Sequence, residues 1–242
     1  MRTIRVFLNA ALQTGLELEL GGDEAHYLRN VLRIDRGTSL QVFNGDGNEY
    51  TADVIEAAKR RFLIGVREAL PEDDATSPLS ISLGLGLSRG ERMDWAIQKA
   101  TELGVSEITP LLLERCNAKL DEKRAENRIR HWQQIMISAC EQSGRRTLVT
   151  INEPQPLAQW IDTNQSVLRL VLDPHNNEPL AQAEAPNSVA LLIGPEGGLT
   201  DGEVNVALDH GFRRWRLGPR VLRTETAPAA AIAILQYQWG DL

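Results

Sequence analysis

The sequence predicts two successive domains, a small all-β barrel closed by one helix and then an α/β domain on a mostly parallel sheet. Three observations carry this. Residues 1–70 hold short, alternating apolar segments around a single helical stretch. Residues 71–78, Pro71-Glu72-Asp73-Asp74-Ala75-Thr76-Ser77-Pro78, lack apolar periodicity and carry two prolines, which marks a linker. Residues 79–242 then alternate strand-like and helix-like patterns, the grammar of an α/β domain.

Taken in order, the first domain offers strands at Arg5–Leu8, Leu16–Leu20, Ser39–Phe43, Tyr50–Ile55 and Arg61–Val66. Asn44-Gly45-Asp46-Gly47-Asn48 is a hairpin signal between two of them. Asp23 is placed to cap a helix running to about Leu32, with Ala25, Leu28, Val31 and Leu32 as its apolar stripe. His26 is expected to pack within that helix. Several short strands closing on one helix imply a small barrel.

In the second domain, Leu79–Leu87 reads as a buried strand and Arg92–Leu103 as a helix ended by Gly104. Glu107–Leu113 is a strand, and Glu122–Ser143 a long helix stopped by Gly144. Val167–Leu172 and Val189–Ile193 are strands, followed by a helix over Asp201–His210 that stops at Gly211. A strand over Arg214–Leu217 and a final helix over Glu225–Gln238 complete the set. Ligands of such sheets sit outside the carboxyl ends of the strands.

The bulk numbers exclude several classes. A hydrophobic content of 42% and a charged content of 24% are those of an ordinary globular protein. No apolar run approaches a membrane span, and the amino terminus leads straight into a strand without a signal peptide pattern. Cys116 and Cys140 stand alone, so neither a zinc site nor a disulfide framework is supported, and a cytoplasmic location is expected. A net charge of −7 argues against indiscriminate coating of nucleic acid. It leaves room for local basic faces. Lys119 to Arg130 carries five basic residues against three acids, which suits either a solvated helix face or a basic contact. Phe212 to Arg223 holds five arginines (213, 214, 216, 220 and 223) and no acid, a pattern that suits an anionic partner.

The chemistry concentrates in two turns. Leu191-Leu192-Ile193-Gly194-Pro195-Glu196-Gly197-Gly198 and Leu217-Gly218-Pro219-Arg220-Val221-Leu222-Arg223-Thr224-Glu225 each follow an apolar run and lead into a helix. Glycine there lets backbone approach a ligand closely. Glu196 at the first bend could accept hydrogen bonds from a ligand's hydroxyls or amine. Thr200-Asp201-Gly202-Glu203 is a capping box, which explains Thr200 and Glu203 without chemistry. Thr224 can cap the last helix with Glu225 in its first turn, whereas capping leaves Arg223 unexplained. An Arg–Glu pair beside a glycine loop could position a nucleobase and take part in its deprotonation. Gly84-Leu85-Gly86-Leu87-Ser88-Arg89-Gly90 misses the dinucleotide fingerprint by one position, and no HExxH, GxSxG or Walker sequence occurs.

Together these motifs resemble the RsmE family, bacterial methyltransferases acting on N3 of a uridine in 16S ribosomal RNA. The resemblance runs end to end. It rests on Arg5-Val6-Phe7, His26 to Arg33 and Gly37, on Gln98 to Val105, and on Trp132, Ala139 to Ser143 and Arg145. It is strongest at Gly194 to Gly198 and at Leu222 to Ala227, and Pro228 after Ala227 departs from the pattern at a position a helix's first turn tolerates. The resemblance implies a PUA-like RNA-binding β-barrel over 1–70, a linker over 71–78, and a SPOUT methyltransferase domain with a deep trefoil knot over 79–242. It implies S-adenosyl-L-methionine bound by Leu172, Gly194, Glu196, Gly197, Leu217, Gly218 and Leu222, with Arg223 and Glu225 catalytic. Arg5, Arg29 and Arg33 would contact RNA phosphates, positioning the strand without reading it. A homodimer through the knot region, a substrate in the small ribosomal subunit, and no metal are also implied. The alternatives are a methyltransferase with another RNA target, a non-catalytic RNA-binding factor, and a nicotinamide oxidoreductase resting only on the flawed Gly84–Gly90 pattern.

Overall fold

The computed structural model of the chain describes residues 4–59, 61–71, 77–116, 122–175 and 185–242. Contacts group it into two units, Met1–Asp74 with Cys140–Leu148, and Ala75–Ala139 with Val149–Leu242. The linker anticipated over 71–78 falls mostly outside the described residues.

The first unit is built on β1 (Ile4–Phe7), β2 (Glu17–Leu20), β3 (Ser39–Phe43), β4 (Glu49–Ala58) and β5 (Arg61–Ala69). They form a mixed sheet in the order β1-β3-β4-β5-β2, parallel only at β1–β3. Alternation buries Leu40 and Val42 from β3, Ala52 and Val54 from β4, and Phe62 and Ile64 from β5 in one cluster. The hairpin signal at 44–48 is met. Phe43 pairs with Glu49, and Gly45 and Gly47 hold φ of 88° and 96° in the turn between them.

The single helix differs from its reading. It starts at Gly22, which puts Asp23 inside the first turn, runs as α1 over Gly22–His26, and widens into a π-helical turn over Tyr27–Val31. Leu32 N–H accordingly donates to Tyr27 O, five residues back. That wider turn breaks the 3.6-residue period, so Ala25 and Leu28 stay buried while Val31 is 61% exposed. His26 is exposed rather than packed, its Nδ1 lying 2.9 Å from Asn30 Nδ2.

Arg5 is a further correction. Its Nε meets Glu49 Oε1 at 2.6 Å, Nη1 donates to Cys140 O and Glu141 O, and Nη2 to Arg145 O. Only 10% of its side chain is exposed. Four of its five N–H donors are thereby used inside the chain, so Arg5 is a structural tie and not a phosphate contact. Arg146 completes the cluster with Nε 3.0 Å from the other Glu49 oxygen.

The second unit carries β6 (Ser80–Gly86), α2 (Glu91–Glu102), β7 (Glu107–Leu112), α3 (Glu122–Ser143), β8 (Thr150–Ile151) and β9 (Gln155–Pro156). It continues with α4 (Leu157–Thr163), β10 (Leu168–Leu172), β11 (Ser188–Ile193), α5 (Asp201–Asp209), β12 (Arg213–Trp215) and α6 (Thr226–Trp239). The sheet order is β12-β10-β11-β6-β7-β8, with β9 also on β7, and every described pairing is parallel. The central strands β6 and β11 are buried at every position but the first because both faces are covered. Gly104, Gly144 and Gly211 sit just past α2, α3 and α5 at φ of 87°, 89° and 81°, the left-handed stop each was expected to provide.

Gly84 and Gly86, the near-miss fingerprint, have packing reasons. A Cβ on Gly84 would lie 2.7 Å from the Trp160 ring, and one on Gly86 2.5 Å from Pro195 N. Gln236 of α6 is wholly buried, accepting from Ser77 Oγ and donating to Gly104 O. Among the described residues, no helix is long and apolar enough to cross a membrane.

Candidate functional site

The parallel sheet puts the carboxyl ends of β10, β11 and β12 side by side, and both glycine turns leave from there. The first turn follows Ile193. Gly194 has no space for a side chain, since a Cβ would lie 2.8 Å from Leu199 N and 2.9 Å from Gly198 C. Gly198 takes φ 70° and donates to Pro195 O. Arg115, from the segment after β7, holds the turn by donating through Nη1 to Gly197 O at 3.0 Å and Leu199 O at 3.2 Å. Thr200 and Glu203 form the expected reciprocal capping box on α5. Glu203 Oε1 also accepts from Glu114 N at 2.8 Å, tying the segment after β7 to that helix.

The second turn follows Trp215. Gly218 takes φ 72°, and its carbonyl accepts from Arg216 Nε at 2.9 Å. Arg223 O receives the N–H groups of Thr226 and Ala227. The helix boundary here corrects the capping expectation: Glu225, in helical conformation, occupies the cap position of α6, and no side chain supplies the cap bond. Thr224 is simply buried.

Between the turns lies a cavity of about 610 Å³. Leu172, Gly194, Glu196, Gly197, Leu217, Gly218, Leu222, Arg223 and Glu225 all line it, so one space collects every residue the sequence proposed for cofactor and catalysis. Arg29 and Arg33 belong instead to the first unit. Arg29 donates to Lys59 O and stacks 5.8 Å over the Phe62 ring, while its Nε is buried without a partner. Arg33 is exposed at φ 53°, the only described non-glycine residue with positive φ.

The electrostatics are uneven. Glu196 Oε1 accepts from Arg89 N and Arg92 Nη1, both at 3.2 Å, whereas its Oε2 is buried with no partner. Burial pushes its carboxyl up, but its own backbone N–H, the Arg89 N–H and the Arg92 guanidinium outweigh that and hold it below the ordinary value. Asp173 Oδ2 lies 3.4 Å from Arg214 Nη1, and Asp173 Oδ1 accepts from His175 N. Arg223 Nη1 is 3.9 Å from Glu225 Oε1, the arginine side chain 79% exposed and the carboxylate 18%. Burial pushes the Cys116 thiol up, which makes it a poor nucleophile.

Sequence reasoning missed Arg92, Arg115 and Asp173 on the cavity wall. All three follow the carboxyl ends of strands, so the ligand rule for parallel sheets, applied to β6, β7 and β10 as well, would have flagged their loops. Asp173 also changes the arginine strand, because Arg214 is paired and Arg216 is hydrogen-bonded to a carbonyl. Among the described residues, no group of three potential ligands could hold a metal ion.

Residues 75–236 match the family model described as an RNA methyltransferase domain, and residues 20–66 match an RNA methyltransferase PUA domain. The ribosomal RNA small subunit methyltransferase E of Buchnera aphidicola subsp. Schizaphis graminum is 35% identical, covering 100% of this chain and 98% of that protein. Its counterpart in Bacillus subtilis is 31% identical, over 90% of this chain and 88% of the other. The solved Neisseria gonorrhoeae ribosomal RNA small subunit methyltransferase E, bound to S-adenosyl methionine, superposes with a TM-score of 0.92 at 36% identity, covering 100% of both chains. A Legionella pneumophila protein solved in complex with the cofactor SAM gives 0.96 at 40% identity, again over 100% of both.

Proposed function

This chain belongs to the ribosomal RNA small subunit methyltransferase E family, and from that premise we propose that it methylates N3 of a uridine in 16S ribosomal RNA. The observation that carries the reading is the single cavity that gathers both glycine turns with the Arg223–Glu225 pair. The residues fit S-adenosyl-L-methionine. The cavity volume suits a small-molecule cofactor. Gly194 and Gly197 line the cavity with backbone alone, and Glu196 presents a buried acceptor in need of a donor.

Bound there, the cofactor would supply an electrophilic methyl group on its sulfonium. Leu172, Leu217 and Leu222 would offer apolar contact to its adenine, and Gly194, Gly197 and Gly218 their backbone groups. Glu196 would accept from hydroxyl or amine donors. N3 of uracil carries an imide proton and becomes a competent nucleophile only on losing it. Glu225 would orient the base or take that proton, and the Arg223 guanidinium would stabilise the imide anion that remains. Holding the two reactants in line is then the main task of the pocket.

Arg29 and Arg33 in the PUA domain are the phosphate contacts we propose. Their exposed or half-exposed placement supports this, as the burial of Arg5 does not. We infer the SPOUT deep trefoil knot from the path of the chain, which leaves β11 and reaches β12 on the far side of β10. We also infer a homodimer, supported by Ile234 and Tyr237 of α6 at 44% and 80% exposure, and a cytoplasmic setting, where the RNA is.

The test is methyl transfer from labelled S-adenosyl-L-methionine to small ribosomal subunits lacking the modification, with mass spectrometry of the product nucleoside. Appearance of 3-methyluridine is expected. Label in another nucleoside would overturn the target, and absence of both transfer and cofactor binding would overturn the reading as a whole.

A further inference from the structure

The turn from β6 into α2 lies beside the first cavity. Arg89, Glu91 and Arg92 there border a second cavity whose remaining wall is Glu196. Arg92 lies on the wall of both cavities. Gly90 makes this arrangement, with φ 54° and ψ −137° at the cap of α2. Nothing lies within 4 Å of a Cβ built on it, so its requirement is conformational and not steric. The bend aims the Arg89 N–H and the Arg92 guanidinium at the same oxygen, Glu196 Oε1.

An ionised carboxylate has about four lone-pair sites across its two oxygens. In Glu196 the Arg89 N–H and the Arg92 guanidinium both arrive on Oε1, whereas Oε2 is buried without a hydrogen-bond partner. A surface pair with Arg92 half exposed contributes little to folding. Its consequence is orientation. With Oε1 pinned from the β6–α2 side, the carboxylate has one direction left for Oε2.

We propose that Arg92 is a positioning residue that acts through Glu196, pinning Oε1 so that Oε2 meets the hydroxyl or ammonium donors of the bound cofactor. This rests on the reading that the first cavity holds S-adenosyl-L-methionine. The lowered carboxyl of Glu196 agrees, since an ionised acceptor is what such donors need.

Calorimetric titration with S-adenosyl-L-methionine tests it on the full chain, comparing wild type, Arg92→Met, Arg92→Lys, Glu196→Gln and the double variant Arg92→Met with Glu196→Gln. Arg92→Met is expected to weaken binding roughly tenfold, the scale of one lost charge-assisted contact. Arg92→Lys should recover most of that loss. In the Glu196→Gln background, Arg92→Met should add less than about twofold, because residues acting as one unit are not additive. The unfolding midpoint of Arg92→Met should stay within about 2 °C of wild type, as for a half-exposed surface site. In turnover, KM for the cofactor should rise with kcat at saturation nearly unchanged. Wild-type affinity in Arg92→Met, or an undiminished loss in the Glu196→Gln background, would overturn the inference. A wild-type chain that fails to bind would instead overturn the cofactor reading on which it stands.

Discussion

Replacing Arg223 with Gln separates the catalytic reading from a merely structural one. The side chain is 79% exposed and its nearest acid, Glu225 Oε1, is 3.9 Å away, so folding should barely register the change. The transition state should. A guanidinium about 4 Å from a developing imide anion contributes roughly 1 kcal/mol at the dielectric of water and about 4 kcal/mol at the effective value near a protein surface. Docked RNA displaces water from the cavity mouth and moves the site towards the second figure. The expected fall in kcat is therefore between about fivefold and a thousandfold. Cofactor affinity should change by less than about twofold. The assay is single-turnover methyl transfer at saturating cofactor, repeated across pH 7 to pH 10 (roughly the span in which an imide loses its proton unaided). If Arg223 stabilises the anion, the deficit in Arg223→Gln should shrink as pH rises. Unchanged turnover, or a deficit constant across that range, would refute the role.

Other substitutions test the frame around that chemistry. Gly86→Ala would push a methyl to 2.5 Å from Pro195 N, backbone that cannot swing aside, and should destabilise by about 1–3 kcal/mol in urea unfolding while weakening cofactor binding. Arg5→Met leaves Glu49, only 5% exposed, with Arg146 alone, and should cost about 3 kcal/mol in the same assay. RNA affinity of the folded Arg5→Met fraction, read by filter binding, should hold within about twofold, because four of the five Arg5 donors are already taken inside the chain. The Glu196 carboxyl is held below its ordinary 4.5, so its ionised form persists above that pH and is lost only as pH falls through the lowered value. Cofactor affinity measured by titration should thus stay flat down to about pH 4.5 in wild type.

The fold was legible wherever a local rule decided it. Left-handed glycines ended α2, α3 and α5 at the places their positions indicated, and the capping box opened α5. Where a tertiary arrangement decided, the pattern misled. α4 has seven residues and opens after Pro156, too short for a 3.6-residue period to show against background. The π-helical turn at Tyr27–Val31 needs one extra residue per turn, and no side-chain rule announces it, so Val31 looked like core and is surface.

The site follows the same division, and the arginine strand shows why. Along the chain, Phe212 to Arg223 holds five arginines and no acid, and read alone it promises uncompensated charge. The compensation comes from elsewhere in the sheet. β10 pairs in parallel with β12, Leu172 opposite Trp215, and this register brings Asp173 against Arg214. The turn itself takes up Arg216 through Gly218 O. Arg213, Arg220 and Arg223 remain exposed, and of these Arg220 and Arg223 stand on the cavity wall. Strand pairing thus turns a diffuse basic tract into a local one, concentrated where the anion of the proposed reaction would form. A count of charges along the sequence could not make that distinction, because it depends on which strands lie next to each other.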